Sequence, residues 1–167
     1  MLPRFFALAV LIVLAIFASI YSVKIDLPKK DGFISPITLL CFAIGGALIS
    51  LFGAYIGFSQ ALGAMAAFLG GYILIAYIGL IRQPEKSQKL LSGTTLQIIL
   101  LSIVTLLLVV GLFAPGVSPV ALAVLGLTLV SPQISSRLNN ANKRLRPILI
   151  GLIAAIPTAA SIAIAAL

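Results

Sequence analysis

Residues 94–114 read TTLQIILLSIVTLLLVVGLFA, a run of twenty-one positions with no charged side chain. As a helix it would be about 31 Å long, which matches a hydrocarbon core of about 30 Å. Its few polar residues, Thr94, Thr95, Gln97, Ser102 and Thr105, are uncharged. A helix apolar on every side has no face to turn to water, so this run sets the class of the chain.

The runs on either side repeat the pattern. Toward the N-terminus lies a connection from Arg82 to Gly93 that holds Arg82, Glu85, Lys86 and Lys89, preceded by an apolar run over 61–81. Toward the C-terminus the chain passes through an uncharged Pro/Gly turn, Ala114 to Pro119, into a short apolar run over 116–131. Further apolar runs cover 5–23, 34–56 and 147–167. The expected fold is therefore all-α, a single transmembrane domain over 1–167 built as a polytopic bundle of about six spans. Composition agrees: the 167 residues are 62% hydrophobic and only 8% charged, against roughly 25% charged in soluble chains.

Charge orients the bundle. Of the eleven Lys and Arg, all but Arg4 fall in three connections, near residues 24–31, 82–93 and 132–146. The other two connections, near Gly57–Gln60 and Ala114–Pro119, carry none. Basic residues near span ends stay on the cytoplasmic side. The expected topology is N-out and C-out, multi-pass, in an inner (plasma) membrane. The 5–23 run is longer than a signal-peptide core, and cleavage would leave Lys24, Lys29 and Lys30 outside, so it is read as a span.

The net charge of +8 thus serves topology, and nucleic acid is not an expected partner, because the basic residues form no phosphate-tracking stripe. The densest basic cluster, Arg137, Lys143, Arg144 and Arg146, is a candidate contact for anionic lipid headgroups or a protein partner, at about 1 kcal/mol per cation near the surface.

Helices in lipid associate through close packing of small residues. Four rows of such residues at four-residue spacing are candidate packing faces: Gly46, Ser50 and Ala54; Gly53 and Gly57; Gly63, Ala67 and Gly71, continued by Gly79; and Gly151, Ala155, Ala159 and Ala163. They place the second, third and sixth runs at interfaces, within the bundle, between copies or with a membrane-protein partner. The first and fourth runs, rich in Leu, Ile, Val and Phe, are expected to face lipid.

Catalytic parts are missing from the sequence. There is no His, the one cysteine is Cys41, and Asp26, Asp31 and Glu85 all lie in basic connections. No metal set, phosphate loop or activated nucleophile can be assembled. The expectation is a non-enzymatic subunit or accessory protein without cofactor. The alternative is a small transporter or channel for a neutral or lipid-like solute, lined by Tyr72, Ser102, Thr105, Thr128 and Thr158, with Pro157 kinking the last helix.

Arg82-Gln83-Pro84-Glu85, followed by Gly93-Thr94 and an apolar run to Ala114-Pro115, resembles the loop and second helix of the proteolipid ring subunit of rotary ATP synthases. That family carries an ion-binding carboxylate about ten residues after the glycine. Ser102 and Ile103 stand there in this chain, so the resemblance implies no ion site.

Overall fold

A computed structural model describes residues 2–25, 33–82, 91–135 and 146–167. Among them every regular element is helical: α1 (Leu2–Ile25), α2 (Ile34–Phe52), α3 (Ile56–Arg82), α4 (Gly93–Phe113), α5 (Pro119–Gly126), a 3-10 segment (Leu127–Val130), α6 (Ser131–Ser135) and α7 (Arg146–Ala166). Among the described residues four helices are long and apolar enough to cross a membrane: Ile34–Phe52, Ile56–Gly79, Gly93–Phe113 and Pro147–Ala166. The stretches Phe5–Phe17 and Pro119–Ile134 are shorter apolar helices. Large side chains such as Phe6, Ile75, Leu101 and Ile156 are exposed on the outside, a surface suited to lipid.

Local chemistry fixes the helix ends. Ser92 caps α4 by accepting from the Thr95 N–H at 3.2 Å. Ser118 does the same for α5 from Ala121 at 3.5 Å, with Pro119 opening the helix. That proline is well placed, because its missing N–H would be unpaired in a first turn anyway.

The end of α2 departs from the sequence reading. The chain turns at Gly53–Tyr55, not near Gly57–Gln60. The Tyr55 N–H donates to the Ser50 carbonyl (2.9 Å) and the Ala54 N–H to Leu51 (3.0 Å), the paired bonds of a Schellman cap. Its left-handed position is held by Ala54, at φ 63°, where glycine is usual. Glycine is needed one residue earlier, because a Cβ on Gly53 would overlap Val117 Cγ2. Ala54 therefore leaves the face of Gly46 and Ser50, and Gly53 and Gly57 stand on opposite sides of a turn.

Helix α2 is the centre of the bundle. It packs against α3, α4, α5, α6, α7 and the 3-10 segment, while α1 lies across α4 and α5. Phe42, Leu62, Leu69, Leu107, Leu122 and Leu125 are among the large side chains buried in its core. Close approach is obtained with glycine: a Cβ on Gly46 would lie 2.9 Å from Leu107 Cδ2, and one on Gly111 2.6 Å from Leu8 Cδ2.

The two uncharged turns meet at one end. The Tyr55 hydroxyl donates to the Phe113 carbonyl at 2.9 Å, and a Cβ on Gly116 would lie 3.4 Å from the Gly53 carbonyl oxygen. At the opposite end the start of α7 packs on the start of α2 through Ile150, Ile34 and Ile37.

The expectation that the first and fourth runs face lipid most is overturned for the fourth. In α4, 39% of the span is buried, against 22% in both α3 and α7. In a bilayer, Leu and Ile suit a lipid neighbour and a protein neighbour equally, so hydrophobicity alone does not aim a helix.

Candidate functional site

Of the six buried polar side chains among the described residues, all but Ser50 gather in one place, where α2, the stretch α5 to α6, and α7 meet. Thr38, Thr128, Ser131, Thr158 and Ser161 are all buried. Two contacts cross between helices: Thr128 Oγ1 to Thr158 Oγ1 at 3.3 Å and Thr38 Oγ1 to Ser131 Oγ at 3.4 Å.

The break has a local cause. Pro132 lacks the N–H that the Thr128 carbonyl would receive in an unbroken helix. Ser131 supplies that carbonyl instead, through its backbone N–H in the 3-10 manner and through its hydroxyl at 2.7 Å, and the chain runs as a 3-10 segment just before the proline. The interruption lies inside the stretch expected as a single span over 116–131, and helix resumes to Ser135 beyond it.

A second proline, Pro157, lies inside α7, which remains helical through it. It deprives the Ile153 carbonyl of its usual donor. The neighbouring Thr158 hydroxyl donates elsewhere, to Ala154 at 2.9 Å, and Ser161 donates to the Thr158 carbonyl at 2.7 Å.

Proton counting ranks the two crossing contacts. A hydroxyl has one proton to give. Thr158 gives its proton to Ala154, so Thr128 is the donor in the Thr128–Thr158 bond. Thr38 donates to Ile34 at 2.9 Å and Ser131 to Thr128, so neither has a second proton for the other. Their contact is the looser one.

Of the solute-path candidates, Thr128 and Thr158 meet, with Pro157 half-buried beside them. Ser102 and Thr105 lie on α4 away from that cluster, donating to their own helix at Ile98 and Leu101, both at 2.8 Å. Tyr72 is half-buried on α3, which does not contribute to the cluster. Thr38, Ser131 and Ser161 were not among the candidates; the sequence signal for Ser131 is that it precedes a proline.

The small-residue rows divide as well. Gly46 and Ser50 are buried, and Ser50 donates to the Gly46 carbonyl at 2.8 Å. On α3, Cβ atoms added at Gly57, Gly63 or Gly71 would meet nothing within 4 Å, and Ala67 is exposed. On α7, Gly151 is 3.9 Å from Ile37 Cγ2, while Ala155, Ala159 and Ala163 are exposed. A shallow apolar groove of about 310 Å³ runs between α3 and α4, lined by Ala64, Met65, Phe68, Ile98, Ile99 and Ser102.

Arg137, Lys143 and Arg144 lie outside the described residues, and Arg146 opens α7. Among the described residues no group of His, Cys, Asp and Glu is arranged to hold a metal. No protein family, curated protein or solved structure matches the chain.

Proposed function

We propose that this is a small, non-catalytic membrane subunit or accessory protein whose outward α3 face receives a helix of a partner or of a second copy. The observation that carries the reading is the contrast between two sets of glycines. Those at 45, 46, 53 and 111 are crowded by side chains, whereas Gly57, Gly63 and Gly71 face open space. Inside the bundle glycine is needed for fit. On α3 it leaves a smooth strip at helical spacing, of the kind that lets another helix backbone approach.

The proposed topology is six spans, with α1 and the α5–α6 stretch as the two additional crossings, N-out and C-out in an inner (plasma) membrane. The basic connections would then lie on the cytoplasmic side against anionic headgroups. The meeting of the two uncharged turns at one end supports this sidedness.

The test is native mass spectrometry from mild detergent on the wild type and on Gly63→Leu and Gly71→Leu. A complex of fixed stoichiometry that both variants lose, with unchanged melting, supports the reading. A wild-type chain that is always alone refutes it. The buried hydroxyl cluster favours a second reading, transport of a small neutral solute. Flux lost in Thr128→Val and retained in Gly63→Leu would select that one.

A further inference from the structure

The two proline-bearing stretches face each other. Pro132 denies the Thr128 carbonyl its α-helical donor, which a 3-10 bond from the Ser131 N–H replaces, and Thr158 directly follows Pro157, which denies the Ile153 carbonyl its own. Their hydroxyls are 3.3 Å apart, so adjacent helices are weakened at the same depth. Breaks at different depths would splint one another, each crossing an intact stretch of its neighbour. Breaks at one depth define a line about which both helices can bend together.

We infer that α6 and the first half of α7, residues 146–153, move as one body about a hinge line through Thr128 and Thr158, against α2 as a fixed rod. α2 has its only proline in the first turn, at Pro36, where no hydrogen bond is lost. The hydroxyl chemistry suits the two parts. The contact at the pivot has a proton to make it. The contact farther out, Thr38 to Ser131 at 3.4 Å, does not, and each of its hydroxyls already donates to its own helix. Parting them strands no buried donor, so the polar contact offers little resistance; what the motion must also part is the apolar contact of Ile150 with Ile34 and Ile37, whose side chains lipid tails can receive.

Paired spin labels test this in the full chain with Cys41→Ala. One label replaces Leu51, exposed on α2; the other replaces Ile134 on α6 or Ile148 on α7, both exposed. The hinge predicts a two-component distance distribution for both pairs. It further predicts that either Pro132→Ala or Pro157→Ala alone removes the second component from both pairs, because one splinted helix immobilises the other. Each variant deletes a helix breaker, and circular dichroism checks that it folds. Single narrow distributions in the wild type overturn the inference. So does a result in which each substitution narrows only the pair on its own helix.

Discussion

Replacing Gly46 by alanine measures how much of this fold depends on backbone approach. The added Cβ would lie 2.9 and 3.4 Å from the two methyls of Leu107 and 3.3 Å from Leu62 Cδ1. Carbon atoms pack at about 3.5–4.0 Å, so the nearest methyl must retreat by at least about 0.6 Å. Rotating Leu107 removes one methyl and brings in the other, and Leu62 closes the far side. Both leucines are fully buried, with no solvent to move into. Overpacking of this kind costs about 1–3 kcal/mol. Helix propensity works the other way, since alanine is better than glycine by about 1 kcal/mol. The control Gly63→Ala removes that ambiguity, because it makes the same exchange inside a helix with nothing within 4 Å. Propensity cancels in the comparison, leaving Gly46→Ala less stable than Gly63→Ala by about 1–3 kcal/mol. Unfolding in mixed micelles of rising SDS fraction, followed by circular dichroism, reads that difference. Equal stability of the two variants would refute the claim that α2 is packed at the limit of backbone contact.

Ala54→Gly should stabilise the protein by about 0.5–1 kcal/mol, since it relieves a left-handed alanine at φ 63°; a lowered melting temperature would count against the cap described. Tyr55→Phe removes the 2.9 Å bond to Phe113 and should cost about 0.5–1.5 kcal/mol, read in the same titration. Ser102→Ala with Thr105→Val should change stability by less than about 0.5 kcal/mol, because both hydroxyls only bond back to their own helix. For topology, single cysteines at Gly116 and Lys86 in a Cys41→Ala background should react and fail to react, respectively, with an impermeant maleimide in intact cells. The reverse pattern would invert the proposed orientation.

The helical elements were legible because charge-free runs of membrane length leave a chain few alternatives. Their ends were less so, for a specific reason. A helix stop is read from glycine in the left-handed position, and α2 places alanine there. Its glycine is spent at residue 53, where Val117 presses on the backbone, a requirement set by a residue more than sixty positions away. The fifth run shows the same limit. Pro132 reads as the start of a connection, yet the helix passes it and reaches Ser135, with the N–H and hydroxyl of Ser131 next door both serving the carbonyl that lost its donor.

Spacing tells which residues share a face and not what that face meets. Gly46 and Ser50, and Gly63, Ala67 and Gly71, are equivalent patterns in the sequence, yet the row on α2 is buried and the row on α3 points outward. The deciding residues are their companions. On α3, Leu62, Ala66, Leu69 and Ala76 are buried and already supply the face that meets α2. Cβ atoms added at Gly63 and Gly71, interleaved with them, would meet nothing within 4 Å, so the fold described does not require glycine there. It is this second face that the proposed function assigns to another helix. The hydroxyls divide by a comparable rule. Ser102 and Thr105 sit in an unbroken helix that offers them their own carbonyls. Ser131 and Thr158 each adjoin a proline; they too donate to their own helix, but they are buried and also meet hydroxyls of neighbouring helices. In lipid, where no water can repair a broken ladder, such hydroxyl–proline neighbours are the places in the sequence most informative about the interior.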